Sequence, residues 1–240
     1  MSGEVHSCPL CKRPLPEGEV ASGVVHEVTS KSLDDSVKLN AFLNFCQRHP
    51  HAARLLKNGT LPDTGFFFLD TPSECCLFLR DFLFLDCADA LLVELQARPR
   101  VDSVWLNCPG GSHYDARRIA DVLKEKRVPK CVIHGCCMSA AILISCACES
   151  VLIDSQASMA VHPVSSAVMG TSKRMREAAL EMDLASEATI EAIVAKTKKS
   201  ESEVRSWFSH DKTTFFSAAQ AIELGLADGF FETPAFEVPA

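Results

Sequence analysis

The chain has no apolar run long enough to cross a membrane. Its most apolar stretches, around Gly65–Leu69 and Ile142–Ala147, are a fraction of the roughly 20 residues that a spanning helix needs. It has no basic excess either. Its 24 Lys and Arg stand against 31 Asp and Glu, a formal charge of −7, so no phosphate-binding face dominates and nucleic acid is not an expected partner. The start, Met1-Ser-Gly-Glu-Val-His6, has neither the apolar core of a secretory signal nor the Arg-rich character of a transit peptide. A cytoplasmic location is expected, with no membrane partner. No internal repeat or low-complexity tract occurs. The glycine pair in Asn107-Cys-Pro-Gly-Gly111 lacks the Lys-Ser/Thr that a nucleotide-binding loop requires.

What the chain does have is length and apolar content: 240 residues, 47% of them hydrophobic and 23% charged. That suffices for one large domain and a small appendage. Residues 1–60 and 61–240 are read as the two parts. The 12 cysteines fall mostly inside apolar strand or helix patterns, where a free thiol acts as a small hydrophobe. Without a secretory context they do not form a disulfide framework.

Two pairs in residues 1–60 are spaced for chemistry. Cys8-Pro-Leu-Cys11 is a C-x-x-C, and Cys46-Gln-Arg-His49 is a C-x-x-H inside a helix expected from Ser32 to about Lys57. Four such ligands make a structural zinc set. A helix puts positions 46 and 49 on one face. His6, His26 and His51 are alternative ligands, and a tail with incidental cysteines is the other reading.

The rest of the chain alternates strand and helix. Phe66–Leu69 reads as a strand. Thr71-Pro-Ser-Glu74 reads as a capping box opening a helix with Cys75, Leu79, Phe82 and Leu83 on its apolar stripe. A second helix runs from about Ala88 to Arg98, ended by Pro99. Val101–Leu106 is a strand leading into the glycine pair, followed by a helix over Tyr114–Lys126. Lys130–His134 is a short buried strand that Gly135 breaks, and Ala140–Ala147 is an apolar helix. Ser150–Ile153 and Ser158–His162 are short strands. This order predicts right-handed parallel βαβ units. Thr171 to about Thr197 is one long helix, of a length that projects from a domain this size and packs on a neighbouring subunit. Ser200 caps a short helix, and a last one from Ser217 ends at Gly225.

Ser139 sits where a strand end meets a helix start. Backbone N–H groups there have no intrahelical acceptor. A hydroxyl in that position is either a helix cap or a nucleophile with oxyanion donors beside it. His162 and Asp211 stand at other strand ends or loops, and with Ser139 they could form a Ser–His–acid set. Histidine would take the hydroxyl proton, and the carboxylate would fix the imidazole tautomer.

Four ordered motifs carry a resemblance. Asn107-Cys-Pro-Gly-Gly111, Gly135-Cys-Cys-Met-Ser-Ala-Ala141, Met159-Ala-Val-His-Pro163 and Asp211-Lys-Thr-Thr-Phe-Phe-Ser-Ala-Ala-Gln-Ala-Ile-Glu-Leu-Gly-Leu-Ala-Asp228 resemble, in order, the glycine loop, nucleophile turn, histidine strand and ending of the proteolytic subunit of the Clp protease. The likeness runs from about Gly65 to Glu232 and looks closest to the phage and prophage branch. It implies an α/β fold, the Clp/crotonase-type spiral of ββα units with a protruding handle helix. It implies a serine endopeptidase with Ser139 as nucleophile, His162 as base, Asp211 as orienting acid, and the backbone N–H groups of Gly111 and Ala140 as oxyanion donors, with no cofactor for catalysis. It further implies protein or peptide substrates, a ring-shaped homo-oligomer, and an ATP-dependent unfoldase as a partner, although residues 1–60 do not resemble the family's axial loops. Two other functions fit parts of the pattern: a catalytically weak or inactive assembly subunit, and a crotonase-type acyl-CoA enzyme.

Overall fold

A computed structural model describes residues 65–70, 74–80, 83, 85–208 and 212–231. The zinc set Cys8, Cys11, Cys46 and His49, the helix expected from Ser32, positions 71–73 of the capping box, and Asp211 all lie outside the described residues.

The elements in order are β1 (Phe66–Asp70), β2 (Cys75–Arg80), α1 (Leu85–Ala97), β3 (Ser103–Cys108), α2 (His113–Glu125), β4 (Lys130–Met138), α3 (Ala141–Cys146), β5 (Ser150–Ile153), β6 (Ser158–Val161), α4 (Ser172–Thr197), α5 (Glu201–Ser206), β7 (Thr214–Ser217), α6 (Ala218–Glu223) and β8 (Gly229–Phe230). One sheet runs β1-β2-β3-β4-β5-β8, with β6 paired to β4 and β7 paired to β6. The β3–β4 and β4–β5 pairs, each joined through a helix, are parallel as expected. The β2–β3 pair, whose first strand the sequence pattern does not indicate, is parallel too. The β1–β2 and β6–β7 pairs are antiparallel.

The sequence pattern fails at β2. Cys75–Arg80 is a strand and not the helix that the apolar spacing suggested. Leu77 and Leu79 lie in the main core, and Cys76 and Phe78, which alternate with them, are also buried. A run buried on both faces has no polar alternation to reveal a period of two, so a helical stripe can be drawn through it just as well. The second face carries aromatic rings. Phe67 stacks on Phe78 with centroids 4.7 Å apart, Phe78 on Trp105 at 5.5 Å, and Phe231 meets Trp105 edge-on at 5.2 Å. The first face, with Val104, Leu106, Cys131, Ile133, Val151 and Ile153, shares one core with Leu91 and Leu95 of α1, Ile119 and Leu123 of α2 and Ile142 of α3. Each such leucine or isoleucine contributes about 1.5–3 kcal/mol when fully buried.

Gly135 does not break β4. The strand runs through it and changes partner there. Lys130–Ile133 pair with β5, and Cys136–Met138 pair with β6. A Cβ on Gly135 would lie 2.3 Å from Asn107 Oδ1, and that oxygen accepts the Cys136 N–H at 3.1 Å. The glycine therefore makes room for a side chain that secures the switch. Gly135→Ala is expected to cost about 2 kcal/mol by urea denaturation. Combined with Asn107→Ala, the loss should fall short of the sum of the two single changes, because both remove the same contact.

The long helix α4 is capped by Thr171, whose hydroxyl accepts the Arg174 N–H at 3.4 Å. Its C-terminal half buries Thr189, Ile190 and Ile193 and packs against α3 and α5. Its N-terminal half leaves Met175, Leu180 and Leu184 exposed. At 26 residues it is about 39 Å long. Among the described residues, no helix is long and apolar enough to cross a membrane.

Candidate active site

Ser139 directly follows β4 and adopts φ 55°. An L-residue in this left-handed region is strained by about 1–3 kcal/mol and persists only where its surroundings fix it. Here both of its backbone groups are held. Its N–H donates to Ala160 O of β6 at 2.8 Å, and its C=O accepts the Ile142 N–H of α3 at 3.1 Å. Ser139 is not the N-cap of α3. That place falls to Ala140, and no side chain caps the helix. The hydroxyl is thus free of a capping role.

The glycine loop lies against this turn. A Cβ on Gly110 would be 2.7 Å from Ser139 Cβ and 2.9 Å from Met138 O, so only glycine lets the loop approach. Leu83 clasps it from behind: its N–H donates to Gly110 O at 2.8 Å, and its C=O accepts the Ser112 N–H at 2.9 Å. Gly111, at φ 136°, points its amide away from that clasp. Among the described residues, nothing accepts the N–H of Gly111 or of Ala140. Both line the same groove as Ser139. Two bare donors beside a hydroxyl are an arrangement that can receive an oxyanion.

His162 enters from the next strand. β4 and β6 pair Met138 with Ala160, so His162 follows the position that faces Ser139. It lines the same groove, of about 1080 Å³. His162 Nδ1 lies 2.7 Å from Pro163 O. A carbonyl only accepts, so Nδ1 carries a proton, and in the neutral ring Nε2 is then the nitrogen with the lone pair that a general base needs. No hydrogen bond joins Ser139 Oγ to His162 among the described residues. The third expected member, Asp211, is outside them. Val161 pairs with Thr214, which sets Thr213 next to His162.

Other nucleophiles are disfavoured. Cys137, two residues before Ser139, is fully buried, and burial holds its thiol well above its ordinary pKa. Cys146 is likewise pushed up to about 12 by burial. Buried, protonated thiols are inert. Cys75, Cys76, Cys108, Cys131, Cys136, Cys137, Cys146 and Cys148 are all free thiols. No group of three or more His, Cys, Asp or Glu among the described residues could hold a metal.

Leu83, Asn107 and the Pro163 carbonyl are contributors that sequence reasoning missed. Two act through backbone atoms, which leave no residue-type signal.

The sequence profile of the family described as Clp protease matches residues 87–234, well over half of the chain. The chain belongs to the Clp protease family. The match covers every element from the body of α1 onward, including both glycine-loop and serine turns. No curated protein matches the chain. Among solved structures, a mutant ClpP1 from Listeria monocytogenes is similar, with a TM-score of 0.58 at 18% identity over 65% of this chain and 91% of that one. At that identity the likeness speaks for the fold alone. The Clp protease chain therefore has the mixed α/β fold expected for it.

Proposed function

We propose that the chain is a serine endopeptidase of the Clp proteolytic type, closest to the phage and prophage branch. The observation that carries this is the strained Ser139 beside two unpartnered backbone donors, in one groove with a histidine whose Nε2 is free. Ser139 Oγ attacks the scissile carbonyl while His162 Nε2 takes its proton. The developing oxyanion is received by Gly111 and Ala140 N–H, each such donor being worth about 10²–10³ in rate. His162 then gives the proton to the leaving amine, and water repeats the sequence in reverse to release the acyl group.

Asp211 is the proposed orienting acid. The Pro163 carbonyl sets the tautomer but carries no full charge to stabilise an imidazolium. Thr213, the neighbour in register, has no carboxylate, and Asp211 is the acid two positions before it. The apolar residues exposed on the first half of α4 support assembly into a ring with an interior chamber, fed with protein or peptide substrates by an ATP-dependent unfoldase. A crotonase-type reading finds no support: the residues after the second donor are Ala141-Ile-Leu-Ile-Ser145, with no acid among them. In residues 1–60, Cys8, Cys11, Cys46 and His49 are proposed to hold a structural zinc. Elemental analysis should read one zinc per chain, lost on replacing Cys8 and Cys11 by serine; metal-free protein purified without chelator would refute this.

A fluorophosphonate probe should label the wild type and not Ser139→Ala, and Asp211→Asn should slow labelling. No labelling of assembled protein at neutral pH would overturn the reading.

A further inference from the structure

Resting on the serine-peptidase reading, we propose that Arg117 is a specificity-determining residue that selects peptides with an acidic side chain lying in the groove beside Ser139. One wall of the groove is the first turns of α2, which present His113 and, one turn on, Arg117; the facing wall is α4. Positions four apart share a helix face.

The two basic residues that α2 presents to the groove have different roles. His113 Nε2 is 3.1 Å from Thr189 Oγ1, and the Thr189 hydroxyl gives its own proton to Ala185 O at 3.0 Å. Thr189 therefore accepts from His113, whose proton sits on Nε2. Burial, with the Arg117 charge adding to it, holds the His113 pKa below its ordinary value. The ring is a neutral, fixed pin between α2 and α4. Arg117 is the charged group. Its Nε alone is committed, to Asp121 at 3.2 and 3.4 Å. The two terminal nitrogens of its fork make no hydrogen bond among the described residues, and 52% of the side chain is exposed. Guanidinium forks of this kind match a carboxylate bidentately.

Among the described residues, nothing else on the groove walls answers that charge. Arg174 and Glu181 both line the groove but pair with each other at 3.2 Å. His162 is reserved for Ser139. The Asp121 carboxylate is not among the lining groups. The start of α2 adds a partial positive charge of its own. A glutamate or aspartate side chain from bound peptide would meet free N–H donors, and a lysine would meet repulsion.

The test is a set of fluorogenic peptides in which one glutamate is moved through the positions flanking the scissile bond, each paired with its glutamine and lysine counterparts. At one position the wild type should cleave the glutamate peptide with kcat/KM about tenfold above the glutamine peptide, a difference of about 1.4 kcal/mol. The ratio should shrink as salt rises, fall to about one in Arg117→Gln, and recover in part in Arg117→Lys. The same peptides, labelled, are titrated into assembled Ser139→Ala protein by anisotropy. Glutamate-selective binding that depends on Arg117, without turnover by the wild type, would uphold the selectivity and sink the serine mechanism. Turnover with no glutamate preference, or a preference that survives Arg117→Gln, would overturn the role of Arg117 and leave the serine mechanism standing.

Discussion

Ser139→Ala is expected to lower kcat/KM on a peptide substrate by roughly 10⁴–10⁶-fold, while leaving the fold and assembly intact. The substitution removes only Oγ, which makes no hydrogen bond among the described residues. The contacts that hold the turn belong to the Ser139 backbone, N–H to Ala160 and C=O from Ile142, and alanine keeps both. No neighbouring group can take over. The Cys137 thiol is buried and raised in pKa, and Ser145 is fully buried with its hydroxyl donating to Ile142 O at 2.9 Å. A second substitution separates activity from stability. Ser139→Gly should be just as inactive yet about 1 kcal/mol more stable than Ser139→Ala, because glycine relieves the strain at φ 55°. Matched urea midpoints for the two variants would deny that the strain is stored there. Activity within tenfold of wild type in Ser139→Ala would place the nucleophile elsewhere.

Much of this site was readable from the residue order. The glycine pair, the serine at a strand–helix junction and the histidine closing a short strand each carry a local signature, and the described structure brings all three to one groove. Where sequence reasoning went astray at β2, the cause is that a strand buried on both faces loses its alternation. Cys75–Arg80 could be drawn as a helix because Cys76 and Phe78 are as buried as Leu77 and Leu79. Gly135 looked like a strand end because a glycine there has two possible meanings, a break or a close approach. Only the position of the Asn107 side chain decides between them. The short strands β7 and β8 had no pattern of their own; β7 exists because β6 offers it an edge. Leu83 could not have been nominated at all, since its role is carried by its peptide groups. The His162–Pro163 contact was equally hidden, because any residue at 163 supplies a carbonyl.

The second large effect is expected at Gly111. In Gly111→Ala the new Cβ would stand 2.3 Å from Leu83 O, 2.7 Å from Leu83 N and 2.9 Å from Leu83 C. All three are backbone atoms of a residue that is 1% exposed, so no side chain can swing aside. At φ 136° an L-residue is strained as well. The loop must then either lose its clasp to Leu83, with two hydrogen bonds worth about 1 kcal/mol each, or carry the strain of about 1–3 kcal/mol. Either way the expected loss is about 1–3 kcal/mol in urea denaturation. The surviving folded fraction should react with the fluorophosphonate probe about 10²–10³-fold more slowly, because a displaced amide no longer faces the oxyanion. Gly110→Ala offers the contrast. Its Cβ would strike Ser139 Cβ at 2.7 Å and come within 3.2 Å of Oγ, so it should perturb the nucleophile itself. Gly111→Ala protein that is folded, assembled and labelled at the wild-type rate would remove Gly111 from the oxyanion site. Ala140 N–H would then be the sole remaining donor, and the acyl-transfer mechanism would need another group opposite it.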